Sequence, residues 1–287
     1  MLTRVFVYGS LMKGQGNHRI VKRYVRSVSP ATMRGWMFNT GYYPAVATGG
    51  GTVRGQVLEL DPPERAYAAM DILEGFEGPG HPKNLYERIE TTVRLASGED
   101  VECCAYVAPD RTKAALAREA ALMPDGAWGE APSSRLYFAY GSCMSEASFG
   151  ETARRYERIG PALLPGYRVA FTKHSGKWNG AVADIVPTTA EDAMEGVLYV
   201  LPDDQLEALD AREGANLTPP VYRRKEVSVV VDGLTLPAFT YEVVEKLAEE
   251  RAPSDAYAQT ILEGAKSLSA GYVGRLVERM RALQSKK

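Results

Sequence analysis

Two glutamates, Glu74 and Glu213, meet the same chemical setting twice along this 287-residue chain. Each closes a run of helix-forming residues, is followed by a glycine, and comes after an apolar segment that ends in Tyr-Gly-Ser: Tyr8-Gly9-Ser10 before Glu74, and Tyr140-Gly141-Ser142 before Glu213. A carboxyl group set against an apolar pocket has a raised pKa and can take a proton from one atom and return it to another. A glycine turn between strand and helix exposes backbone N–H groups that hold a carboxylate or a developing oxyanion without help from a cationic side chain. The pairing points to a proton shuttle beside an anion-holding turn, written twice.

Other chemistries fit less well. The first turn continues as Met12-Lys13-Gly14-Gln15, which lacks the Gly-Lys-Ser/Thr of a phosphate-binding loop, and the second has no lysine there. Ser10 and Ser142 have no partner for nucleophilic catalysis, because His18, His81 and His174 share no position between the copies. Cys103, Cys104 and Cys143 have neither disulfide nor metal-ligand spacing, so no metal is expected, and a reducing cytoplasm is the simplest compartment. His18 reads as a packed or capping residue. Cys103 and Cys104 should point to opposite faces of a strand as a half-buried pair.

The elements that must position these residues also recur. Val5–Val7 and Leu136–Ala139 read as buried strands, each leading through its turn toward a helix. Val53–Leu60 and Met194–Leu201 are β-rich and carry one interior glycine apiece, Gly55 and Gly196, the mark of a bulge or a close backbone approach. Helices opening at Pro62 and Pro202 run toward the two glutamates and stop at Gly75 and Gly214. Tyr86-Glu87-Arg88 and Tyr222-Arg223-Arg224 then lead into strands, with Tyr86 and Tyr222 read as pocket or core residues alike and Arg88 and Arg224 as pocket residues or solvated ion pairs alike. Spacing between the copies drifts by a few residues, so loops vary while the order holds. The composition of Arg111–Met123 is helical, Pro124–Ser134 reads as a connector, and a C-terminal helical stretch capped at Ser254 or Asp255 should break at Gly271. These boundaries divide the chain into domains 1–130 and 131–287.

Composition is that of an ordinary globular protein, 45% hydrophobic and 24% charged. A net charge of −2 provides no positive field for nucleic acid, and neither an export signal nor an apolar run of membrane-spanning length is evident.

Residues 5–21, VFVYGSLMKGQGNHRIV, with Glu74 and Tyr86-Glu87-Arg88, closely resemble the γ-glutamylamine cyclotransferase and AIG2-like group. Residues 136–144, LYFAYGSCM, with Trp178–Ala183, Leu209–Gly214 and the tail 253–272, resemble γ-glutamylcyclotransferase. The resemblance implies an α+β fold of two domains, each a small mixed β-barrel with flanking helices. It implies release of 5-oxoproline from a small γ-glutamyl amide, with no cofactor, nucleic acid or membrane partner. Glu74 and Glu213 would be the general acid/base groups, and the substrate would lie on Tyr8, Gly9, Ser10 and Leu11 in one copy and on Tyr140, Gly141, Ser142, Cys143 and Met144 in the other, with Tyr86 and Tyr222 beside them. Cys143 stands where the second group usually has asparagine, and Gly75–Leu85 is an extra loop beside the first glutamate. These inequalities leave open a division of labour in which one copy is catalytic and the other positions substrate or binds an acidic amino-acid derivative.

Overall fold

The computed structural model describes residues 1–130, 133–189 and 193–285. The chain divides into two units, Met1–Pro132 and Ser133–Lys287.

In the first unit, β1 (Arg4–Val7) leads through the Tyr-Gly-Ser turn and the short helix α1 (His18–Val21) to a long hairpin, β2 (Val25–Asn39) and β3 (Pro44–Leu60). Helix α2 (Pro63–Glu74) comes next, then β4 (Glu87–Leu95), β5 (Asp100–Val107), α3 (Asp110–Glu119) and β6 (Ala121–Met123). Strand pairing runs β3-β1-β5-β4-β2 and returns to β3, a closed five-stranded ring with β6 added beside β2. One pairing, β1 with β5, is parallel. Alternation along β1 and β5 separates two apolar layers. Phe6, Cys103 and Ala105 face the barrel interior with Met33, Val53 and Val93, whereas Val5, Val7, Cys104 and Tyr106 pack against Tyr67 and Met70 of α2. Cys103 and Cys104 do point to opposite faces, but both are buried, because β5 is covered on each side.

The second unit repeats the ring. Strand β7 (Ser134–Ala139) precedes a 3-10 turn at Ser142–Met144 and α4 (Glu146–Gly150). The hairpin is now divided into β8 (Glu157–Pro165), β9 (Tyr167–Ser175), β10 (Gly180–Pro187) and β11 (Ala193–Pro202). Helix α5 (Leu206–Glu213), β12 (Tyr222–Val231) and β13 (Leu234–Val243) complete the barrel, and α6 (Asp255–Gly264) and α7 (Ala270–Gln284) end the unit. The ring β11-β7-β13-β12-β8 is closed, and its parallel pair, β7 with β13, is the counterpart of β1 with β5. Strands β9 and β10 form a separate two-stranded sheet.

The interior glycines do what their position suggests. A Cβ on Gly55 would fall 2.3 Å from the Val7 carbonyl oxygen and 2.7 Å from the Phe6 ring. One on Gly196 would fall 2.4 Å from the Ala139 oxygen and 2.5 Å from the Phe138 ring. Each is the place where the long strand crosses closely over the residue before a Tyr-Gly-Ser turn.

Two local expectations need correction. The helix expected over Arg111–Met123 ends at Glu119, and Ala121–Met123 is a strand whose Met123 pairs with Met37. The C-terminal helical stretch breaks at a 3-10 turn, Ala265–Ser267, and not at Gly271, which lies in the first turn of α7 capped by Ser269. Ser254 caps α6, its Oγ accepting the Tyr257 N–H.

Candidate active site

Both helices that carry the glutamates stop at left-handed glycines, Gly75 (φ 59°) and Gly214 (φ 65°), leaving Glu74 and Glu213 as the last helical residues. One turn earlier, each helix is bolted to the barrel by an aspartate. Arg88 donates to both Asp71 oxygens at 2.9 and 2.8 Å, and the Tyr106 hydroxyl donates to Asp71 at 2.6 Å. In the second unit, Arg224 donates to Asp210 at 2.7 Å, as does the Tyr241 hydroxyl. Arg88 and Tyr106 are register partners across β4 and β5, and Arg224 and Tyr241 across β12 and β13, so one aspartate ties the helix end to two strands. The turn tyrosines are fixed in parallel fashion: Tyr8 donates to the Tyr106 carbonyl and Tyr140 to the Tyr241 carbonyl, each at 2.6 Å. Tyr86 donates to the Pro44 carbonyl at 2.9 Å and Tyr222 to the Ala183 carbonyl at 2.6 Å.

The scaffolds match, but the cavities do not. In the first unit, Tyr8, Gly9, Ser10, Leu11, Glu74 and Tyr86 line one cavity of about 170 Å³, joined by Asn17, Tyr43, Leu73 and Leu85. The Ser10 Oγ accepts from Asn17 at 3.0 Å, while the backbone N–H groups of Ser10 and Leu11 have no acceptor among the described residues. No donor within the described residues reaches the Glu74 carboxylate, and burial pushes its pKa up to about 7. A half-buried carboxyl poised near neutrality beside unclaimed amide donors can both accept and return a proton.

In the second unit, Tyr140, Gly141, Ser142, Cys143, Glu213 and Tyr222 line a cavity of only about 30 Å³, room for one or two waters. Met144 lies outside it, packed so closely beneath Gly264 of α6 that a Cβ there would sit 2.3 Å from the Met144 carbonyl carbon. Tyr257 of α6 fills the space. Its hydroxyl accepts the Ala183 N–H at 3.1 Å and faces the Ser142 N–H, and Trp178 packs on its ring at 4.9 Å. Cys143 Sγ lies 3.5 Å from Glu213 Oε1 as a donor, the thiol held neutral by burial that lifts its pKa to about 12. Burial also raises Glu213, opposed by Arg212, whose Nε is 3.9 Å away. Arg212 donates to Ser142, Ser148 and Thr152, clamping the turn, and Leu73 stands at the matching place in the first unit.

The turn and glutamate residues come together as their order along the chain suggests. The aspartate anchors were not foreseen, although Asp71 and Asp210 each stand three residues before a glutamate. Arg88 and Arg224, which the sequence leaves undecided between pocket and ion pair, are the aspartates' partners. Tyr257 was likewise unforeseen, though it lies within the tail 253–272.

Two closed α+β barrels, each presenting a half-buried glutamate to a Tyr-Gly-Ser turn, define a class of small barrel with one carboxyl per site. The chain belongs to the family described as Gamma-glutamyl cyclotransferase, AIG2-like, which matches residues 5–130 and again 137–259. It is 29% identical to YkqA of Bacillus subtilis (strain 168) over 300 residues, covering 99% of each chain. The crystal structure of YkqA aligns over 99% of each chain with a TM-score of 0.47 and 27% identity. Gamma-L-glutamyl-butirosin B gamma-glutamyl cyclotransferase of Niallia circulans is 33% identical over 98 residues, 34% of this chain and 62% of that one. No helix among the described residues is long and apolar enough to cross a membrane.

Proposed function

We propose that the first unit is a γ-glutamylcyclotransferase with Glu74 as its general acid/base, and that the second unit does not turn substrate over. The observation that carries this reading is the contrast at the turns. Ser10 and Leu11 offer unclaimed amides beside an unpartnered Glu74 in about 170 Å³, whereas Tyr257 occupies the matching place beside Glu213 and leaves about 30 Å³.

The substrate's α-amine attacks its own γ-carbonyl carbon. Glu74 takes the amine proton as the new C–N bond forms, and the Ser10 and Leu11 amides face the oxyanion or the α-carboxylate. Glu74 then returns the proton to the leaving nitrogen as the old C–N bond breaks, giving 5-oxoproline and a free amine with no water consumed. Because the nucleophile and electrophile belong to one molecule, the site's main task is to fold the chain of the glutamyl group and move one proton. The Niallia circulans relative, named for a cyclotransferase acting on a γ-glutamyl conjugate, is in keeping with this reaction.

The test is release of 5-oxoproline from a panel of γ-glutamyl amides by wild type, Glu74→Gln and Glu213→Gln. Glu74→Gln should lose at least about 100-fold in turnover and Glu213→Gln less than about twofold. Equal losses would overturn the division between the units, and no release by wild type from any conjugate would overturn the enzyme reading.

A further inference from the structure

Of the residues lining the first cavity, Glu74 is the one with an acidic or basic side chain, and the proton transfers claim it. The glutamyl end of a substrate brings an α-amine and an α-carboxylate, which meet Glu74 and the turn amides. The rest of the lining is uncharged, and it includes Tyr43, Leu73 and Leu85. Tyr43 is 51% exposed and Leu85 69% exposed, large apolar side chains placed in solvent at a cavity mouth.

Both are held there rather than left loose. The Leu85 N–H donates to the Gly75 carbonyl at 3.1 Å, and its side chain lies over Gly75, next to Glu74. The loop before it is organised by the buried Asn84, which accepts the Glu77 N–H at 2.7 Å and donates to Gly78 and Glu87. The Tyr43 carbonyl accepts from Thr40 N–H and Oγ1, and its ring meets Tyr86 edge-on at 6.4 Å. Covering two such side chains favours an apolar ligand surface. A charge on the leaving amine, brought to the same place, would interrupt that apolar cover and find no counter-charge among the lining residues beyond Glu74.

Resting on the reaction proposed above, we infer that Tyr43 and Leu85 select the leaving group, and that the substrates are γ-glutamyl conjugates of primary amines with an uncharged, apolar body. γ-Glutamyl amino acids and γ-glutamyl-ε-lysine, which carry further charges, are poor substrates on this view.

Three conjugates isolate the effect: γ-glutamyl-isopentylamide, γ-glutamyl-methylamide and γ-glutamyl-leucine, the last differing from the first by one carboxylate. For the full-length protein, kcat/KM for the isopentylamide should exceed both others by at least about tenfold. In Tyr43→Ser/Leu85→Ser, whose fold is checked by circular dichroism, the isopentylamide-to-methylamide ratio should fall below about threefold. Equal or better use of γ-glutamyl-leucine or γ-glutamyl-ε-lysine, or a ratio indifferent to the double substitution, overturns the inference. If no conjugate releases 5-oxoproline, the reaction assignment has failed. Calorimetric binding of the non-cyclising α-N-acetyl derivatives then decides the inference alone: the same order supports it, and equal affinities overturn it.

Discussion

The Tyr257 hydroxyl receives the Ala183 N–H at 3.1 Å, and the residue at Ala183's place in the first barrel is Pro44, which has no N–H to give. The correspondence rests on Tyr86 and Tyr222, which donate to the carbonyls of Pro44 and Ala183 respectively. A Cβ on Gly9 would meet the Pro44 ring at 2.6 Å, and one on Gly141 would meet the Tyr257 hydroxyl at 3.1 Å and the Ala183 Cβ at 3.3 Å. The first turn is therefore walled by Pro44, and the second by Ala183 together with Tyr257.

Removing that hydroxyl leaves the Ala183 N–H without its acceptor in a buried place. Tyr257→Phe should cost about 1–3 kcal/mol in the unfolding transition of the second unit, read by urea denaturation with a probe specific to that unit. Turnover should be unchanged within about twofold.

Glu74 makes opposite demands on activity and stability. As the base of the proposed reaction it would have to be ionised, so kcat/KM should rise with pH through a midpoint near 7, a limb absent from Glu74→Gln. For stability, the folded-state pKa of about 7 lies above the ordinary 4.5. The contribution of the neutral carboxyl is thus fully present below about pH 4.5 and is lost as pH rises through about 7. Glu74→Gln, neutral throughout, should stabilise the first unit by on the order of 2–3 kcal/mol above about pH 8, with the gain vanishing toward pH 4. Denaturation of both proteins across that range checks the sign.

Asp71 does not itself line the cavity but holds Tyr106, which does, and fixes the turn of helix that ends in Glu74. Asp71→Asn weakens the pairing with Arg88, and kcat should fall by about 10- to 100-fold with a smaller change in KM. The pH midpoint should stay near 7, since the environment of the carboxyl is kept. A mutant with unchanged kcat and only a lowered urea midpoint would reduce Asp71 to a stabilising role.

What could be read from the chain was whatever repeats locally. The Tyr-Gly-Ser turns, the glycine after each glutamate and the interior glycines Gly55 and Gly196 are short-range features, and each copy vouches for the other. The Asp–Arg–Tyr anchors were within reach, because all three residues recur in order. Joining them, however, requires the register that sets Arg88 opposite Tyr106 and Arg224 opposite Tyr241, which only the folded sheet supplies. Ala121–Met123 went astray because helix-forming composition is a weak prior against pairing with an available strand edge. Tyr257 was hidden for a different reason: its periodicity marks it as buried in α6, but what it is buried in depends on where that helix docks.

The hairpin that is continuous as β2 and β3 in the first barrel is divided into four strands in the second, yet both rings close with the same neighbours. Closure therefore does not depend on how far the hairpin extends beyond the ring, nor on the segment attached after the last ring strand. In the first copy an inserted loop before β4 shapes the mouth, and in the second a helix after β13 fills it. Duplication has left one barrel with two separately editable margins, so that access to the glutamate is adjusted by segments whose alteration leaves the ring's hydrogen bonding intact.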